Sequence, residues 1–428
     1  MKKAIFKIII VLISIVTLVS CKNINTTKVQ SSISDQQPEQ TNFVQVATGQ
    51  TTLYDGDGNI RSTINEGAPF YGQDANYLKG QKMDFKKNNN GTVTDLNTRL
   101  MWQEIPSSEG FNWEDANEYC ENLELGGYND WRMPTAKELY SISDFSSGWP
   151  YLDTNYFSLV NNDYVDKSEQ YWSSNKYVGY TEEGHYNAAF GVNHATGHIK
   201  AYAAAAPDGK EGHQGPPPSH QAPPGQKLSE GKQSPHQEDK PIGNPMLKHI
   251  RAVRGNTYGI NDFIDNNDKT ITDKATGLMW AKNDNGKGLD WENALAYAEN
   301  SELAGYSDWR LPNVKELQGI VDYSYAPNAK DSTKIGPAID PIFNCTPITN
   351  EAGDSDYGYY WTSTSAHFRS GEPYFYAWYV AFGRAVNGEG KDFHGAGSVR
   401  FDTKFEGGNL GEGGERYYNY VRLVRNID

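Results

Sequence analysis

The chain carries one long segment twice. Thr94-Asp95-Leu96-Asn97-Thr98-Arg99-Leu100-Met101-Trp102 returns as Thr272-Asp273-Lys274-Ala275-Thr276-Gly277-Leu278-Met279-Trp280, and Trp113, Trp131 and Glu138 recur at the same offset as Trp291, Trp309 and Glu316. Solenoid units repeat every ~20–50 residues, so this spacing predicts two tandem domains of one fold. Residues shared by both copies then describe how the fold is built, and positions that differ are free to carry function.

A chain of 428 residues accommodates two domains of ordinary size. With 13% aromatic residues and 42 glycines, short strands and aromatic-rich turns fit better than a helical bundle. The net charge of −15 argues against a general affinity for nucleic acid.

Residues 1–20 have the pattern of an export signal. Lys2, Lys3 and Lys7 flank the start of an apolar run, Ile8 to Val19, that is too short to span a bilayer comfortably. The run ends at Leu18-Val19-Ser20-Cys21, which resembles a bacterial lipobox and implies cleavage before Cys21 and lipid on its thiol. The polar residues 21–41 read as a flexible tether. Lys22 after the lipidated cysteine points to the outer membrane, with the exposed face left open. Two thiols remain. Cys120 aligns with Ala298, which favours a core thiol, while pairing with Cys345 stays an alternative.

Residues 42–90 form an approach segment in which Asp55-Gly56-Asp57-Gly58-Asn59 predicts a hairpin turn. The turn has no glutamate where an EF-hand would need one, so no calcium site is expected. The first module spans 91–255 and the second 261–428. Asn112 and Asp290 are placed to cap a helix with the apolar stripes Trp113, Ala116, Cys120, Leu123 and Trp291, Ala294, Leu295, Ala298. Thr135 with Glu138, and Asn313 with Glu316, have capping-box spacing at the start of a second helix. Tyr186, Ala188, Phe190 and Val192 alternate, as do Tyr376, Trp378, Val380 and Phe382, which predicts half-buried strands. Ile250 to Arg254 and Val421 to Arg425 read as closing strands. Before them, each copy makes an excursion. Residues 203–245 are rich in Pro, Gly and His and predict a disordered insert, and Asn387 to Glu415 is glycine-rich.

The ordered set Thr-Asp-x-x-Thr-x-Leu-Met-Trp, Gly-Tyr-x-Asp-Trp-Arg-x-Pro, Tyr-Trp-Ser/Thr-Ser and Val-Arg-Leu-Val-Arg resembles the Lcl C-terminal domain family. It covers nearly all of both modules, departing at Ala252 where the second copy has Leu423. The resemblance implies two tandem C-type-lectin-like α+β modules, each with two helices packed on small irregular antiparallel sheets. It also implies an extracellular or envelope setting and adhesion to sulfated glycans in the name-giving member. A sulfated glycan needs a basic surface, and this chain is acidic.

Trp102, Asp130, Trp131, Arg132, Trp172, Trp280, Asp308, Trp309, Arg310 and Trp361 recur in both copies and are read as structural, with each Asp/Arg pair tying its loop to the closing strand. The candidate ligand residues lie where the copies diverge: Trp149, Tyr151, Tyr177, Tyr180, Tyr357, Tyr359, Phe368 and Tyr374. No catalytic group, cofactor or metal site is expected. His213, His220 and His236 sit in the insert without short ligand spacing. The similar lectin-like fold of formylglycine-generating enzymes uses a cysteine pair that neither module has. The resulting expectation is a lipid-anchored envelope protein with two non-catalytic binding modules for a glycan or a surface protein. The alternative is an accessory lipoprotein docking on another envelope protein.

Overall fold

The computed structural model describes residues 43–161, 164–205, 247–407 and 416–427. The signal peptide, Cys21, the tether, and the insert from residue 206 onward with its three histidines lie outside the described residues. Among the described residues no helix is long and apolar enough to cross a membrane.

The approach segment holds the hairpin β1 (Leu53–Tyr54) and β2 (Ile60–Arg61), and one helical turn, α1 (Asp74–Tyr77). The first repeat begins with a meander, β3 (Phe85–Lys87), β4 (Thr92–Asp95) and β5 (Met101–Gln103). Helices α2 (Trp113–Glu121) and α3 (Ala136–Ser141) follow. Strands β6 (Gln170–Tyr177), β7 (Ala188–Asn193) and β8 (Ile199–Ala203) come next, and β9 (Val253–Arg254) closes onto β5. The second repeat opens with β10 (Phe263–Asp265), β11 (Thr270–Asp273) and β12 (Leu278–Ala281), then α4 (Trp291–Glu299) and α5 (Val314–Gly319). An added hairpin, β13 (Pro347–Thr349) and β14 (Ser355–Tyr357), precedes β15 (Tyr359–Ala366), β16 (Tyr376–Ala381) and β17 (Val399–Thr403). The last strand, β18 (Val424–Asn426), closes onto β12. The protein is therefore α+β, mostly small antiparallel sheets with few helices, in two repeated bodies.

Local chemistry starts the helices where the sequence places them. The Asn112 side chain accepts the Asp115 N–H at 2.9 Å, and Asp290 accepts that of Asn293 at 2.9 Å. Both second helices carry complete capping boxes, Thr135/Glu138 and Asn313/Glu316.

The repeats meet in a single six-stranded sheet of order β15-β16-β17-β8-β7-β6. The central pairing is antiparallel with Val399 opposite Ile199, equivalent residues of the two copies. The order is thus palindromic, as in an isologous dimer interface built within one chain. One face of the sheet, with Tyr171, Phe190, Tyr360 and Trp378, packs on α3 and α5 in one core common to both repeats. On the other face, Trp172 and Ala189 pack on Ala116 and Cys120 of α2, and Trp361 and Tyr379 pack on α4. This corrects the half-buried expectation: every residue of β7 and β16 is buried, because helices cover both faces.

The glycine-rich excursion also needs correction. Within it, Val399–Thr403 is a buried central strand equivalent to β8. The β7–β8 turn needs Gly197, whose φ is +76° and whose added Cβ would stand 2.8 Å from Cη2 of Trp378 in the other repeat. Cys120 and Cys345 are both free.

Candidate functional site

The shared triplet is a structural clasp with divided duties. Trp131 and Trp309 are buried, and their indole N–H groups donate to carbonyls of their own loops: Leu125 and Tyr128 (both 3.2 Å), and Leu303 (2.9 Å). Asp130 reaches Arg254 on β9 at 2.7 Å, and Asp308 reaches Arg425 on β18 at 2.7 Å. The arginine holds both aspartates below the usual carboxylate range. Arg132 and Arg310 each grip the glutamate of the capping box through two nitrogens. Both members of each Asp/Arg pair tie the loop to the closing strand as expected: beside the aspartate, Arg310 also donates to Asn426 Oδ1 of β18 (3.1 Å), and Arg132 to the Gly255 carbonyl just past β9 (3.3 Å). The arginine also joins that strand through its backbone, bridging to Val253 or Val424. Trp102, Trp172, Trp280 and Trp361 are fully buried core residues.

The divergent aromatics do not form one surface. Tyr151, Tyr177 and Tyr359 are buried, which corrects their reading as ligand contacts. Tyr177 donates to Asp392 (3.0 Å), and Tyr359 stacks on Tyr379 (4.6 Å between centroids). Tyr374 is half-buried between Tyr54 (4.1 Å) and His367 (4.4 Å), its hydroxyl on the Ser147 carbonyl at 2.7 Å. Trp149 is half-buried against the common core, and Phe368 packs on Phe401. Tyr180 and Tyr357 are partly exposed, Tyr180 against His185 and Tyr186. These loop aromatics pack beneath their loops and against the seam between repeats, where the apolar gain is largest.

A cleft of about 310 Å³ instead opens beside α3, where the repeats meet. Thr135, Lys137 and Asn175 of the first repeat form one wall, and Val321, Asp322, Tyr323 and Asp340 of the second form another. The connector Thr257–Asn261 and Phe263 complete it. Asn175 is fixed by accepting the Ala136 N–H at 2.8 Å, and Tyr258 by donating to the Val44 carbonyl at 2.9 Å. Lys137 Nζ donates to the Gly259 carbonyl (3.0 Å) and Asn261 Oδ1 (2.8 Å). Enclosure of the ammonium lowers its pKa to about 8, with Asp322 and Asp273 opposing the shift. Aromatic rings beside hydroxyl, amide and carboxylate groups suit a polar ligand with one apolar face. The sequence reading missed this cleft because its connector belongs to neither copy. The available signal was Lys137, repeated as Lys315 immediately before the capping glutamate.

Among the described residues no group of three or more His, Cys, Asp or Glu side chains is placed to hold a metal ion. Burial pushes the Cys120 thiol up to about 12, and that of Cys345 upward as well.

A family model for the Lcl C-terminal domain matches residues 91–210 and 269–425, more than half of the chain. No curated protein and no solved structure matches it. The two matched segments coincide with the two repeats whose strands build the common sheet, and the chain belongs to the Lcl C-terminal domain family, carrying the domain in two tandem copies.

Proposed function

We propose that this is an exported, lipid-anchored envelope protein of the bacterial outer membrane that recognises a glycan or a surface protein without catalysis. The lipobox-like Leu18 to Cys21 supports the anchor, and the family membership is consistent with a C-type-lectin-like fold in an adhesion-like role. The observation that carries the reading is the cleft beside Lys137, which presents aromatic, hydroxyl, amide and carboxylate groups from both repeats together. Ligand recognition therefore belongs to the pair of repeats as a unit. A non-catalytic role is supported by the thiols, since a buried thiol with a raised pKa is a poor nucleophile at neutral pH.

A glycan array and an overlay of envelope proteins, both probed with the soluble chain from residue 42, test this. Thr257→Trp places an indole at an exposed position of the cleft wall and is expected to abolish the binding without lowering the melting temperature. Binding that survives this change unaltered would place recognition elsewhere.

A further inference from the structure

The two repeats are equivalent in fold but unequally covered. In the second repeat the approach segment lies along β15 and α4. The Gln50 side-chain amide takes both backbone groups of Ser365, accepting its N–H at 2.8 Å and donating to its C=O at 2.9 Å. The Asp74 carboxylate accepts the Thr364 hydroxyl at 2.9 Å, Phe70 lies 6.0 Å from the Trp291 ring, and Tyr77 donates to Glu299. Arg310 is left with 3% of its side chain exposed.

Among the described residues, none covers the matching face of the first repeat in this way. Ser174, Lys176 and Glu121 are exposed, and Trp113 and Asn175 are half-buried. The Arg132 side chain is 31% exposed against 3% for its twin. Lys176 pairs with Ala189 as Ser365 pairs with Ala377, in each case beyond the same register shift. Its N–H and C=O therefore face the outer edge of β6, the terminal strand of the sheet. Lys176 Nζ also stands 4.3 Å from the Trp113 ring centre, and the face runs into the cleft through Asn175 and Thr135.

We infer that the edge of β6 at Lys176, beside Trp113 and Arg132, docks an extended polypeptide segment of a partner protein bearing a carboxamide and a carboxylate side chain, next to Ser174, whose own N–H is taken by the Pro134 carbonyl at 2.8 Å. This rests on the binding reading above and names its partner class. The second repeat supplies the template: an amide that clamps one edge residue, a carboxylate at the bulge, and an aromatic ring on the helix tryptophan. Arg132 is already paired with Glu138, so the cations this side offers are Lys176 and Lys137, which favour an acidic segment over a basic one. Main-chain pairing at a free edge is a general mode of peptide recognition.

The test is to pan a displayed library of random peptides against the chain from residue 42 and measure the selected peptides by fluorescence anisotropy. Selected peptides are expected to share a Gln or Asn and an Asp or Glu. Their affinity should fall at least ~10-fold for Lys176→Pro, which removes an outward N–H at a sheet edge together with the ammonium. It should fall similarly for Trp113→Ala, and far less for Lys176→Met, which keeps the backbone donor. Unchanged melting temperatures separate these losses from unfolding. Failure to select any peptide, or binding indifferent to Lys176→Pro, overturns the inference. A saccharide whose array binding is lost in Trp113→Ala also overturns it, while leaving the binding function standing.

Discussion

Arg310 and Arg132 occupy the same place in the two copies and grip the same glutamate, yet one is sealed and the other a third exposed. Removing one partner of a sealed ion pair strands the other charge in low dielectric. Arg310→Ala is accordingly expected to cost about 3–5 kcal/mol. Arg132→Ala, where water can reach Glu138 through the vacated space, should cost nearer 1–3 kcal/mol, roughly the penalty of an unmade buried hydrogen bond. Urea denaturation of the two variants checks the order, and equal losses would contradict it. Asp74 makes a second residue-scale case. Burial raises its carboxyl from 3.8 to about 6, against the hydroxyls of Thr48 and Thr364. A raised acid pKa means the folded state holds the proton more tightly than the unfolded chain. Its destabilising effect is absent below the unfolded value, grows as pH rises through the interval up to about 6, and is complete above it. Asp74→Asn should then stabilise the protein at pH 8, by at most roughly 3 kcal/mol, and make no difference near pH 3. Melting curves of both proteins at the two pH values show whether the gap opens in that direction.

The helices are the elements most legible in the sequence, because their start signals are local. Thr135 with Glu138, and Asn313 with Glu316, specify a helix N-terminus through contacts three residues apart, and both boxes are present. Thr135→Ala removes the oxygen that accepts the Glu138 N–H at 3.1 Å and should cost ~1 kcal/mol, read as a shift of the urea midpoint. Strand β17 was illegible for the opposite reason. Val399-Arg400-Phe401 is too short to reveal its period and follows the glycine-rich Gly395-Ala396-Gly397, so only its partners β16 and β8 make it a strand. The candidate site was legible in part. The identical copies of Asp-Trp-Arg marked themselves as structural, but burial of Tyr151 and Tyr177 depends on packing across the seam, and that of Tyr359 on its stack with Tyr379, neither of which local pattern encodes.

Across the whole molecule, the common sheet and core couple the repeats. Neither repeat can lose its β8 or β17 edge without exposing the core both share. Calorimetry of the chain from residue 42 should therefore show one cooperative transition, with matching calorimetric and van't Hoff enthalpies. Two resolved transitions would mean that the seam is weaker than its packing implies. The sequence by itself determined that a single unit occurs twice, where its helices begin, and which tryptophans hold each unit. Those features rest on periodicity and on contacts repeated identically within each copy. Only the tertiary structure decided that the copies join through Ile199 and Val399, that the approach segment covers one and leaves the other open, and that the cleft gathers residues from both. Each of these depends on surfaces far apart in the chain meeting in space, and identical local sequences cannot distinguish the covered copy from the open one.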